Sequence, residues 1–385
     1  VNIMDKTTTY KLAGISTAIT GKNKYALKLK EYFQGAETNI AEPISIFINI
    51  CDTMNEMKFD DELKFFAEGK GLQISDTGFM TNIGRLRYRV DNLFVKEEPV
   101  HIWIYYDERC GLRKWAKTIF TYMDPYMLGR ESETDRFITD VLDYTALWWI
   151  LALAFLKYDR AFVHSGMAEK QEKGVVVAGT GGCGKTSAVS ELLNEGWKYI
   201  AEDFGVICAD GSIWQIPKRG AISAEDVSYG SSRLIKLIDQ LPRVQKVRWN
   251  YFSKKGVNPI IAPSLDELYG KENIAQYAKL CKIVYVARST NERIVKKCVS
   301  IDEMTSRIKG ASFRVIREMY NILYNIQAVA DEEIRKNFLE PMDIEKRYCD
   351  IISRALENAE YSVLEVPIKV NPNLIKEYVV QDLFD

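Results

Sequence analysis

An α/β fold is what this 385-residue sequence predicts, and three observations carry the expectation. From about Arg160 onward, short apolar runs of strand type alternate with amphipathic helical patterns. One of those runs, Val175 to Ala178, leads straight into a glycine-rich loop and then a helix. The first hundred residues instead hold β-type runs followed by helical patterns. A β-rich then helical N-terminal region, 1–158, is therefore expected ahead of an α/β domain, 159–385, a division that suits the length at roughly 150 residues per domain.

Taken in order, the N-terminal strands are Ile44 to Ile50, Gly71 to Ser75, Leu86 to Val90 and Val100 to Tyr106, each rich in β-branched or aromatic residues and bounded by turn formers. Helical periodicity covers Leu112 to Met123 and Asp135 to Leu156. Its most apolar part, Tyr144 to Leu156, has 13 residues and is closed by Lys157, so it predicts a buried helix rather than a membrane span of about 20 residues. Beyond it the pattern gives a strand at Phe162 to His164, a strand at Val175 to Ala178 and a helix over Thr186 to Asn194, ended near Gly196. Strands follow at Trp197 to Ala201 and Phe204 to Cys208, the latter turned through Ala209-Asp210-Gly211 onto Ser212 to Ile216. Ile283 to Ala287 is a further buried strand, Ile301 to Ile308, Ser312 to Gln327 and Ile344 to Asn358 are helices, and Ser362 to Val366 is the last strand.

With 52 Lys+Arg against 53 Asp+Glu, the chain has no basic excess, which argues against nucleic acid or an anionic membrane as a general partner. Seven scattered cysteines without a C-x-x-C pair read as reduced thiols, and with no signal-peptide pattern at the N-terminus the expected location is cytoplasmic. His101 and His164 are the only histidines, and neither lies near a cysteine cluster, which argues against a structural zinc site.

The strongest signal is Gly179-Thr180-Gly181-Gly182-Cys183-Gly184-Lys185-Thr186, a full G-x-x-x-x-G-K-[ST] match between a strand and a helix. Glycines let backbone N–H groups turn inward around a phosphate, and the following helix presents its positive end to the same anion. Lys185 would reach the β- and γ-phosphates, the Thr186 hydroxyl would ligate Mg²⁺, and Ser187 completes the cofactor-binding set. The expected cofactors are thus ATP or GTP with Mg²⁺. Cys183 lies inside the loop, where it is either a small tolerated side chain or a thiol whose modification blocks binding.

Glu202 and Asp203 follow Lys185 by only 17 and 18 residues, at the end of the very next strand. At this point the stretch Val163 to Ile207 resembles the HPr kinase/phosphorylase family, whose fold is like that of phosphoenolpyruvate carboxykinase. The resemblance rests on a histidine on the strand before the loop, the G-x-x-G-x-G-K-[ST] loop, a helix ending in glycine and an acidic pair, at matching spacing. It implies a P-loop domain with a mixed sheet. It also implies that His164 takes the pre-loop histidine position, Lys185 the phosphate lysine, Thr186 the Mg²⁺ hydroxyl, and Glu202 and Asp203 the two acids. The chain departs from the family in having Glu202 where Asp is usual, and in lacking the downstream glycine-rich segment, for which Ile216 to Gly220 is a poor match. A divergent kinase is the expectation that follows.

On this reading Thr186 and Asp203 hold Mg²⁺, Lys185 stabilises the transferred group, and Glu202 takes the proton of an acceptor hydroxyl, with the two acids open to exchange of roles. Two adjacent residues on an extended strand face opposite ways, so one of them would face the acceptor unless the chain bends there. The acceptor is a serine of a protein or peptide, or a small metabolite, and a homo-oligomer is compatible with all of this. The alternative is a nucleotide-dependent switch without a phosphorylated product. A carboxykinase would share the fold but finds little metal-ligand material in two histidines. Arg288 after IVYVA, and the basic and aromatic segment Arg243 to Lys255, are secondary candidates for substrate contact.

Overall fold

The structure, a computed structural model, describes residues 7–39, 42–58, 65–67, 71–108, 128, 132–143, 146–220, 222–228, 232–316, 318–370 and 378–381. The expected helix at Leu112 to Met123 and Cys110 lie outside the described residues.

The molecule is α/β, built on two mixed sheets. The first sheet contains β1 (Thr8–Leu12), β2 (Ile15–Thr20), β3 (Ile46–Ile50), β4 (Phe65–Ala67), β5 (Leu72–Ile74), β6 (Gly78–Ile83), β7 (Leu86–Asp91) and β8 (Val100–Tyr106), in the order β1-β2-β3-β8-β7-β6-β5-β4. β2 and β8 flank β3 in parallel, and the remaining pairs are antiparallel. The sequence pattern did not reveal β1, β2 and β6, which are five or six residues long and mix Thr with apolar residues. It also missed the helix α1 (Lys24–Tyr32), whose start is fixed by Asn23 accepting from the N–H groups of Tyr25 and Ala26.

The long helix expected over Asp135 to Leu156 is broken. It runs as α2 (Glu133–Ile138), a π turn at Thr139–Asp143, and α3 (Ala146–Lys157). Apolar residues surround α3 on all sides, and Leu147 to Leu156 are all buried, so α3 is a central core helix between the sheets. Among the described residues no single helix is long and apolar enough to cross a membrane.

The second sheet holds β9 (Arg160–Val163), β10 (Ser165–Lys170), β11 (Lys173–Gly179), β12 (Lys198–Ala201), β13 (Gly205–Cys208), β14 (Ser212–Trp214), β17 (Tyr277–Ser289), β18 (Val295–Lys297) and β19 (Glu360–Pro367). A separate two-stranded ribbon pairs β15 (Ile222–Ser223) with β16 (Ile260–Ile261). In the large sheet β11 and β19 run parallel to the 13-residue β17, while β10 is antiparallel to both β11 and β12. Helices α4 (Lys185–Asn194), α5 (Arg243–Lys254), α6 (Ile301–Phe313), α7 (Glu318–Val329) and α8 (Pro341–Leu356) follow in chain order; α4, α6 and α8 pack on this sheet, α7 packs on α3, α8 and β4, and Trp249 of α5 joins a small core with the ribbon. Ser312 therefore ends one helix rather than beginning the next.

One buried apolar cluster extends from Tyr10 and Leu12 through α3 to β9, β13, β17 and α8. A smaller one lies between α4 and the sheet, with Val175, Val177, Ala188, Leu192 and Val284 at its centre. The six cysteines among the described residues are all free.

Candidate functional site

Strand register brings the candidate residues to one end of the second sheet. Ser165 pairs with Ala178, Met167 with Ala201, and Gly205 with Val163, so the end of β11, the start of β10, the end of β12 and the start of β13 lie side by side. His164, the loop after Gly179 and the pair Glu202-Asp203 all emerge there. His164, expected at the end of a strand over Phe162 to His164, lies one residue beyond β9. It occupies the one-residue joint between β9 and β10, and β11 is the strand that leads into the loop.

The loop 179–184 passes into α4 through Gly184, which has φ 93° and caps the helix without a side chain. The first-turn N–H groups of α4 thus keep no side-chain cap at that position and are open to an anion, while the left-handed torsion explains why glycine stands there. At the other side of the loop a Cβ on Gly179 would lie 2.5 Å from the Val286 carbonyl oxygen and 2.7 Å from Cys183 Sγ. Cys183 is fully buried in the apolar cluster beneath, and burial raises its thiol pKa, so it packs the loop and is not an activated thiol. Thr180 is half-buried, Gly181, Gly182 and Thr186 are exposed, and Ser187 is half-buried on the first turn.

Lys185 is buried, with Nζ donating to the carbonyls of Thr180 (2.9 Å) and Gly179 (3.2 Å) and lying 3.9 Å from Cys183 Sγ. Ala188, Val189 and Leu192 anchor α4 to the sheet below. The helix ends in a Schellman motif, Trp197 N–H to Leu192 carbonyl and Gly196 N–H to Leu193 carbonyl, which turns the chain into β12.

β12 stops at Ala201, and the backbone bends at Glu202 and Asp203. Asp203 has φ 62°, and the Phe204 N–H donates to the Glu202 carbonyl at 2.7 Å. This is a γ-turn of the rare positive-φ kind, a strained conformation of the sort that clusters at functional sites. Because of the bend, the two carboxylates turn to different partners. Glu202 accepts from the Thr186 hydroxyl and from Tyr269 Oη at 3.3 Å. Burial first, and then the neighbouring charge of Asp203, raise the Glu202 pKa against those hydrogen bonds. Asp203 Oδ2 accepts from Lys218 Nζ at 2.9 Å, and its Oδ1 lies 4.0 Å from His164 Nε2. Burial alone would raise Asp203, but Lys218, His164 and Lys185 outweigh it and hold the carboxyl below its usual range. The carboxylate beside Thr186 is thus Glu202 and not Asp203.

His164 is held at its backbone, where its N–H donates to Ser312 Oγ (3.1 Å), itself bonded to the Ile308 carbonyl. Burial and then the Lys185 charge push its pKa down to about 4, with Lys218 adding to the effect and Asp203 opposing it. The imidazole is therefore neutral at pH 7.

Lys218 and Tyr269 are the members of this constellation that sequence reading did not identify. Lys218 lies in the segment after β14, over the Phe204 ring at 4.6 Å. Tyr269 ends a short helix and stacks on Tyr199 at 4.4 Å between centroids. Neither carries a local motif, and only chain tracing brings them here. The secondary candidates are engaged elsewhere. Arg288 donates to the carbonyls of Pro367 and Val370, and in α5 Phe252 is buried and Trp249 packs into a local core.

Among the described residues no group of three or more His, Cys, Asp or Glu side chains is gathered as a metal cage. The Thr186 hydroxyl and the Glu202 carboxylate do lie together as an oxygen-only pair that suits Mg²⁺, which takes one or two carboxylates and completes its shell with phosphate oxygens and water. Compared with models of known families and with curated proteins, the chain matches none.

Proposed function

We propose that the chain is a Mg²⁺- and ATP-dependent kinase that transfers the γ-phosphate to a hydroxyl, on a P-loop domain related to the HPr kinase family. The observation that carries this reading is the meeting of the open, glycine-capped start of α4, Lys185 and a divided pair of carboxylates at one end of the sheet.

In this reading the β- and γ-phosphates lie in the 179–184 loop against the first turn of α4. Lys185, now bonded to loop carbonyls, turns its ammonium onto the phosphates and stabilises charge as the phosphoryl group moves. Thr186 and Glu202 would hold Mg²⁺, which when bound neutralises charge shared by the β- and γ-phosphates. Asp203, already ionised and half exposed at 48%, accepts the proton of the acceptor hydroxyl. Lys218 and neutral His164 orient its carboxylate, and His164 stays unprotonated so that it adds no competing positive charge. The roles of the two acids are thereby exchanged relative to the sequence expectation.

The test is to incubate the protein with γ-labelled ATP, Mg²⁺ and a cell extract split into protein and small-molecule fractions, with Lys185→Ala as the blank. Lysine-dependent label on an acceptor is the expected result. Label released only as free phosphate would replace the kinase by a nucleotide-dependent switch, and Mg·ATP affinity unchanged in Lys185→Ala would refute the loop assignment.

A further inference from the structure

A cleft of about 570 Å³ opens where the end of α1 meets the segments 215–219 and 264–276, and its lining includes Tyr32, Gln34, Gln215, Lys218, Arg219 and Ser264. That volume falls in the range of small-molecule sites, about 300–1,000 Å³. Lys218 belongs both to this lining and to the candidate site, because its Nζ bonds Asp203. The cleft therefore adjoins the carboxylate assigned to the acceptor.

Its charges are unequal. Lys218 pairs with Asp203, Asp266 on the lining pairs with Lys271 at 3.7 Å, and Glu31 pairs with Lys28 at 3.3 Å. Arg219 has no carboxylate partner among the described residues. Its guanidinium is held 5.4 Å from the centre of the Tyr32 ring, while its backbone N–H donates to Tyr32 Oη at 2.9 Å. A half-buried, ring-supported guanidinium with no carboxylate partner among the described residues suits a planar or tetrahedral anion.

We propose that this cleft is the acceptor site, and that the acceptor is a small hydroxyl compound carrying a carboxylate or phosphate group, which Arg219 receives while the hydroxyl lies toward Asp203. The inference rests on the kinase reading given above. In the transfer the acceptor oxygen forms a bond to the γ-phosphorus, the bond from that phosphorus to the β,γ-bridging oxygen breaks with its electron pair leaving on ADP, and the hydroxyl proton passes to Asp203. The N-terminal region then has a role, since α1 supplies Tyr32 to the wall.

Equilibrium binding of labelled glycerate, glycerol 3-phosphate and neutral glycerol tests this, on the full chain and on Arg219→Gln, Arg219→Lys and Lys185→Ala. At least one anion should bind at least about tenfold more tightly than glycerol, and which one it is tells carboxylate from phosphate. Arg219→Gln should reduce that affinity to the glycerol level, Arg219→Lys should keep part of it, and Lys185→Ala should leave it unchanged. Thermal melts of each variant confirm folding. Anions that bind no better than glycerol, or that bind Arg219→Gln as well as the wild type, overturn the proposal. So does affinity lost in Lys185→Ala alone, which would place the anion in the 179–184 loop. Mg·ATP binding measured on the same samples separates the two ideas. ATP bound without an Arg219-dependent anion sinks the cleft and spares the kinase, whereas an Arg219-dependent anion without ATP binding sinks the kinase and with it the acceptor role.

Discussion

Asp203 holds the left-handed centre of the turn after β12, and that torsion decides what each acid faces. On a continuing strand Glu202 and Asp203 would point to opposite sides of the sheet. The turn instead sends Glu202 to Thr186 and Asp203 to Lys218 and His164. Asp203→Asn should therefore cut phosphate transfer at least about a hundredfold, the lower range for losing a general base, with Mg·ATP affinity unchanged. Glu202→Gln should raise the Mg²⁺ concentration needed for half-maximal ATP binding several-fold. Identical effects of both variants on both quantities would refute the division of roles. His164 supports a second prediction. Its pKa falls from 6.5 to about 4 on folding, so below pH 6.5 the unfolded chain takes up a proton that the folded chain refuses. Stability from this residue is full above pH 6.5 and is lost as the pH falls toward 4. Glu202, shifted upward, acts in the opposite sense as the pH falls, so the comparison must be with a variant. In urea unfolding between pH 4 and 7, His164→Gln should lose on the order of 3 kcal/mol less than the wild type over that interval. Parallel profiles would show that the imidazole is not the group responsible.

Helix α4 is the element on which the site depends, because its first turn lines the loop and its last turn aims the chain into β12. Leu192 is fully buried beneath it among Val175, Val177 and Val284. Leu192→Ala should destabilise the protein by about 3 kcal/mol, within the usual range for a core leucine, as read from the urea midpoint at unchanged slope. A change below about 0.5 kcal/mol, the scale of surface substitutions, would mean that α4 is not anchored through this contact. This element was readable in the sequence because strand, glycine loop and amphipathic helix each follow from local chemistry. The antiparallel β10 was not, since Ser165 to Lys170 mixes Gly, Ala and charged residues, and its placement depends on pairing with β11 and β12. Lys218, Tyr269 and Arg219 stayed hidden because their roles are set by neighbours 15, 67 and 187 positions away in the chain. The break in the 135–156 helix was equally invisible, since its π turn, Thr139–Asp143, contains neither glycine nor proline to mark it.

At the scale of the molecule, a chain of aromatic contacts joins the first sheet to the site. Tyr10 packs on Phe33 (6.1 Å between centroids), Phe33 on Trp148 of α3 (6.1 Å), and Trp148 on both Phe162 (6.3 Å) and Phe204 (6.4 Å). Phe204 directly follows Asp203 and lies under Lys218. A polar tie runs alongside, with Arg160 Nε donating to the Ala13 carbonyl at 2.7 Å. Because one buried cluster spans both sheets, neither can expose its face to α3 without uncovering the other, and cooperative unfolding is the expected consequence. Calorimetry of the full chain should show a single transition. Trp148→Ala should lower that whole transition, removing about 3–5 kcal/mol of stability, and should slow phosphate transfer while leaving Mg·ATP affinity near that of the wild type, because the ring supports Phe204 and not the 179–184 loop. Two separate transitions in the wild type, or a variant in which only part of the transition moves, would show that the aromatic chain is a contact between independent units. In that case the N-terminal region would act on the site through the Tyr32 and Arg219 contact alone.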